Sequence, residues 1–104
     1  MDISKVENAI HALIEHMAEP STNNIAKLQS YGAIRAICLD IEDHTKTSDT
    51  YTTYLDENIH GMLWSCQTLA GLDNGNNHSV EQHVAWAIGK RNVIIELLKH
   101  GIKA

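Results

Sequence analysis

Residues 55–69, LDENIHGMLWSCQTL, hold the phase on which the fold turns. Leu55, Ile59, Met62, Leu63, Cys66 and Leu69 return at intervals of three and four. That is the period of a helix with one apolar side, not the alternation of a strand. At about 100° per residue the stripe centres near Leu55 and Cys66, and Glu57, His60, Trp64 and Thr68 point the opposite way. The polar side admits two readings. Glu57 and His60 have the Glu-x-x-His spacing found in di-metal helical bundles, where such a pair faces inward. Trp64, one turn further on, is the kind of residue that anchors a protein interface.

The metal reading has little support from the rest of the chain. A buried centre needs its Glu-x-x-His directed into the bundle and matched by ligands from other helices. The motif occurs once and lies on the polar side, and Glu7/His11, Asp40/His44 and Glu81/His83 do not repeat its spacing. With thirteen Asp and Glu and seven His in 104 residues, acid–histidine neighbours arise by chance. No metal or other cofactor is expected. Glu57 and His60 stand as candidates for no more than a surface contact, and a metal-binding bundle or enzyme built on them is kept as an alternative.

Outward from this helix, the chain reads as three more. The first spans about 3–18, with Ser4 and Glu7 at capping-box spacing. Its stripe is Val6, Ile10, Leu13, Ile14 and Met17, and Pro20 stops it. The second begins after Ser21 or Thr22 and runs to Asp43 or His44. It carries two stripes, Ile25, Leu28, Ala36 and Leu39 on one side and Ile34, Ile37, Cys38 and Ile41 on another. A helix apolar nearly all round is usually buried on several sides, which predicts a central position. Gly32 within the first stripe suggests a close crossing.

The third helix is capped by Asp49 or Thr50 and reaches about Leu72, after the loop HTKTSDT at 44–50. DNGNNH at 73–78 is a turn by composition. The fourth opens with Ser79 and Gln82 as a capping box and closes at Lys99-His100-Gly101. Its main stripe is Val80, Val84, Ala87, Ile88, Ile94, Ile95 and Leu98. The expectation is an all-α fold: one domain over 1–104, a small antiparallel bundle of four helices with short loops.

More apolar surface is present than one such core would use. Trp64, Trp86, Val93 and Leu97 lie off the main stripes, and Ile34, Ile37 and Ile41 form a second side of the second helix. The surplus is either internal or an interface between two copies, since small domains often complete a core by oligomerising. These seven residues are the predicted interface of a homodimer, part of which could accept a heterologous protein. Gly61 and Gly89 lie near the two tryptophans, as a close approach of two backbones would require. Arg91 interrupts the fourth helix's stripe. Either its stem covers apolar surface or it is a polar anchor at the bundle's edge, with Asp40, Glu42 or Asp56 as candidate partners.

Composition narrows the function classes. Eight Lys and Arg against thirteen Asp and Glu give a formal charge of −5, which argues against a nucleic-acid footprint. Residues 23–37, NNIAKLQSYGAIRAI, resemble a helix-turn-helix start. A recognition helix there would offer Arg35 and then Asp40, Glu42 and Asp43 to an acidic duplex. A regulator contacting DNA is therefore only the alternative. No nucleophile elbow or phosphate loop is present. Cys38 and Cys66 read as reduced, buried thiols, and no apolar run is long enough to span a membrane. A cytoplasmic, non-enzymatic interaction or regulatory protein is the expectation.

Overall fold

The computed structural model describes residues 1–46, 53–73 and 77–100, which form four helices and no strand. They are α1 (Ile3–Ala18), α2 (Asn24–Lys46), α3 (Thr53–Leu69) and α4 (Val80–His100). Each of the three linkers is short, so successive helices can only return antiparallel. The expected caps of the third helix at Asp49 or Thr50, and the Gly101 stop of the fourth, lie outside the described residues.

Local chemistry sets most boundaries. Asp2, not Ser4, caps α1: its backbone is extended and its carboxylate accepts the Lys5 N–H at 3.1 Å. An aspartate one turn ahead of the apolar stripe is as strong a cap as serine and carries charge suited to a helix N-terminus. Asn23 Oδ1 accepts the Ala26 N–H at the start of α2, two residues beyond the predicted boundary. Ser79 Oγ accepts the Gln82 N–H at 3.2 Å, as the capping-box spacing predicts.

The third helix ends sooner than expected. Gly71 adopts φ +80, Leu72 N–H bonds the Gln67 carbonyl at 2.9 Å and Gly71 N–H bonds that of Thr68 at 3.0 Å. This pair of bonds is a Schellman stop, with Gly71 in the left-handed position that spares a Cβ clash.

The helices pack as a cycle. α1 touches α2 and α4, α3 touches α2 and α4, and α1 also meets α3 across the centre. Ile10, Ile14 and Met17 of α1 join Ile34, Cys38 and Ile41 of α2 in one apolar cluster. Leu55, Ile59, Met62 and Cys66 of α3 and Ala87 and Ile94 of α4 complete it. Two buried polar side chains bond back into their own helices: Thr45 Oγ1 to the Ile41 carbonyl at 2.8 Å, and Asn58 Nδ2 to the Tyr54 carbonyl at 2.8 Å.

α2 is not central, contrary to the prediction from its two stripes. Among the described residues its backbone does not approach that of α4, and it buries only the Ile34–Ile41 side. The molecule measures 40 × 25 × 17 Å, a flattened section in which α2 and α4 occupy opposite corners. Among the described residues no helix is long and apolar enough to cross a membrane.

The glycines give a direct test of these local rules. Gly71→Ala should destabilise the protein by about 1 kcal/mol, because alanine is strained in the left-handed position. Gly89→Ala should instead stabilise it by about 0.5–1 kcal/mol, since Gly89 is exposed in mid-helix with open space where a Cβ would stand. Urea unfolding of the two variants reads both signs.

Candidate functional site

The residues predicted to form an interface divide into an internal set and an exposed remainder. Ile34 and Ile41 have 0% exposure and sit in the chain's own core. Ile37 and Leu97 are partly buried against that core, and Val93 is half-buried. Ile34 and Ile41 therefore have no surface to offer a partner, and Ile37, Val93 and Leu97 keep only part of theirs. The correction follows from the flat cycle of helices: α2 turns its Ile34–Ile41 side inward, and α4 packs against both α1 and α3, which uses two of its sides.

Trp64 and Trp86 meet each other within the chain. Their ring centroids are 6.0 Å apart, and His83 lies 5.3 Å from each ring. His78, just before α4, places its ring 4.8 Å from Trp86, edge-on. Four rings thus pin α3 to α4 through aromatic edge and face contacts. Trp86 is half-buried within this cluster, while Trp64 keeps 43% of its surface exposed.

Gly61 contributes to the same contact. A Cβ there would stand 3.1 Å from the Lys90 side chain, so the stem of Lys90 lies over α3. Gly89 has nothing within 4 Å of where a Cβ would stand, so the expected close approach of the two glycine backbones is not found, and Gly61 makes room for a side chain instead.

His83 is the buried residue that the apolar stripe missed. It is 1% exposed and surrounded by aromatic rings. Burial pushes its pKa below the ordinary histidine value, the neighbouring His78 pushes the same way, and Asp73 opposes them. It is therefore neutral at neutral pH. A ring that is half apolar and lies in helical register with Ala87 and Ile94 is legible as a core position only once the tryptophans are placed.

The polar candidates are peripheral. Glu57 and His60 are exposed. His60 Nδ1 lies 3.4 Å from an Asp56 carboxylate oxygen, one turn back on α3. Among the described residues no group of three or more His, Cys, Asp or Glu converges as a metal site would require. Arg91 takes the edge position. Its guanidinium reaches Asn92 Oδ1 and, at 3.5 Å, the backbone carbonyl of Glu7 on α1. It ties α4 to α1 and does not meet Asp40, Glu42 or Asp56.

Tyr54, Leu72 and Val80 are exposed apolar side chains elsewhere on the surface, and a line of them lies on the other side of α2. Ile25, Leu28 and Leu39 are 71%, 42% and 55% exposed. Gly32 and Ala36 continue the line between them in the open. Alongside runs a groove of about 550 Å³ between α2 and α3, with Arg35, Leu39, Glu42, Leu63 and Trp64 among its walls. Tyr31 Oη and Gln67 Nε2 bridge it at 3.1 Å.

Cys38, in the wall of this groove, and Cys66 are buried free thiols. Burial raises both to about 12, with Glu42 adding to the effect at Cys38 and Cys38 adding to it at Cys66. Thiols so far from ionising are poor nucleophiles. Compared with family models, with curated proteins and with solved structures, the chain matches none.

The state of His83 predicts a pH dependence. Its folded pKa is depressed, so the unfolded chain takes the proton first as pH falls through about 6.5. The stability it contributes is complete above that value and declines below it, until the folded pKa is passed. Urea midpoints between pH 8 and 5 should fall more steeply for the natural chain than for His83→Gln. Parallel slopes would mean that His83 is not the titrating group.

Proposed function

We propose that the chain is a non-enzymatic interaction protein, regulatory in role, that presents a helical surface and works as a homodimer joined through the outer face of α2. The observation that carries this reading is the exposed line of Leu28, Gly32, Ala36 and Leu39 beside the Trp64 groove. Leu39 and Trp64 are large apolar side chains at the two lips of one groove. Covering them would remove apolar surface from water at roughly 25 cal/mol per Å².

The charges flanking the groove favour a second copy as the occupant. Arg35 and Glu42 stand one turn on either side of Leu39 and on the same flank of α2, both lining the groove. Neither makes an ion pair among the described residues. An antiparallel twofold contact, with its axis beside Leu39, brings each Arg35 opposite the partner's Glu42. The surface is then self-complementary in charge as well as shape, as an isologous dimer requires. Gly32 and Ala36 give the close approach room, with no Cβ at one position and a methyl group at the other. A reducing compartment such as the cytoplasm belongs to the same reading, supported by the two free thiols.

Light scattering behind a sizing column, across a hundredfold concentration range, should give a mass near twice the 11.6 kDa of the chain. Arg35→Glu or Glu42→Arg alone turns two attractions into two repulsions and should weaken dimerisation by about tenfold or more. The double reversal restores opposite signs and should recover it. A monomer throughout, or a double variant no better than the singles, would sink the proposed contact.

A further inference from the structure

A second recess lies at the end of the bundle away from the Arg91 tie. It forms where α1 and α3 finish and α2 and α4 begin, with a volume of about 770 Å³. Its size falls within the range of small-molecule sites. Met17, Pro20, Leu69, Val80 and Val84 supply an aliphatic lining, and His83 contributes the edge of the aromatic cluster.

Two charged side chains reach this recess, and they differ in setting. Lys27 is half-buried, and no carboxylate pairs with its ammonium among the described residues. Glu81 is exposed at the rim, where water screens it. His83, with its pKa depressed, adds no charge at neutral pH. Two of the last α3 carbonyls, those of Thr68 and Gln67, are taken by the Gly71 and Leu72 amides, which reduces the negative partial charge at this helix end. An ammonium beside an aliphatic lining matches a ligand with an apolar body and one anionic head.

We propose that this cleft is a binding site for a small amphipathic carboxylate, its chain against Met17, Leu69 and Val84 and its head on Lys27. The site is separate from the dimer face: it uses Asn24 and Lys27 in the first turn of α2, roughly three helical turns before Leu39.

Decanoate, held below its micelle concentration, is a suitable probe, with decanol as its uncharged counterpart. Both tryptophans of the chain lie against His83 in the cleft wall, so occupancy should change their emission, and calorimetry counts the sites. The expected result is saturable binding of one decanoate per chain. Lys27→Gln should weaken decanoate by about tenfold and leave decanol unchanged. Leu39→Glu should leave both intact, and Val84→Phe should abolish both by filling the space. Amide shift mapping on the natural chain, which does not depend on any variant folding, should place the perturbations at Lys27, Thr68 and Val84.

Absence of saturable binding would overturn the proposal, as would perturbations confined to Arg35, Leu39 and Trp64. Decanoate affinity indifferent to Lys27→Gln would overturn the assignment of the anionic head. Because the dimer test reads mass and the Arg35–Glu42 charge swap, either proposal can fail without the other.

Discussion

The seating of Ile34, Cys38 and Ile41 in the shared core fixes the rotation of α2, and that rotation determines what the molecule shows to its surroundings. With those three side chains turned toward α1 and α3, Leu28, Gly32, Ala36 and Leu39 are necessarily carried to the opposite side. The exposed stripe and the groove beside it are therefore consequences of the same packing that gives the chain its core. A mutation that rotated α2 would alter core and surface together.

The fold was legible in the sequence wherever one helical stripe dominated. α1 has one clean apolar side, and its Ile10, Ile14 and Met17 are buried as the period requires. Leu55, Ile59, Met62 and Cys66 of α3 behave the same way. The reading failed where a helix carried two stripes, because periodicity measures how many sides are apolar and says nothing of which neighbour covers them. α2 illustrates this: two apolar sides suggested a central helix, while the cyclic arrangement leaves it at a corner with one side open. The apolar residues left exposed on α2, Ile25, Leu28 and Leu39, belong to the stripe that was not assigned to an interface.

The tryptophan cluster shows a different limit. Trp64 and Trp86 were recognisable as lying off their main stripes, but a phase argument within one helix cannot tell a contact with a partner from a contact with the next helix. His83 decides it physically. Its ring packs against both indoles, 5.3 Å from each, and a histidine is apolar enough to do so only when neutral. The Gly71 stop was hidden for a related reason. Its role depends on a left-handed backbone, and the glycine directly follows Ala70, the last buried position of a stripe that could have continued to Leu72.

α2 is common to both proposed surfaces, which raises the question of whether a ligand at the bundle end could influence assembly. The two uses fall on different parts of the helix: Asn24 and Lys27 border the cleft, while Arg35, Leu39 and Glu42 border the groove. Proximity along one helix is not coupling. A ligand with equal affinity for monomer and dimer shifts nothing, however tightly it binds. Coupling would require that occupancy change the rotation of α2, and Ile34 and Ile41 oppose that, because a rigid helix cannot turn at one end without withdrawing their side chains from a close-packed core. Two independent surfaces on one scaffold are thus the physical expectation, with the core residues of α2 holding them apart.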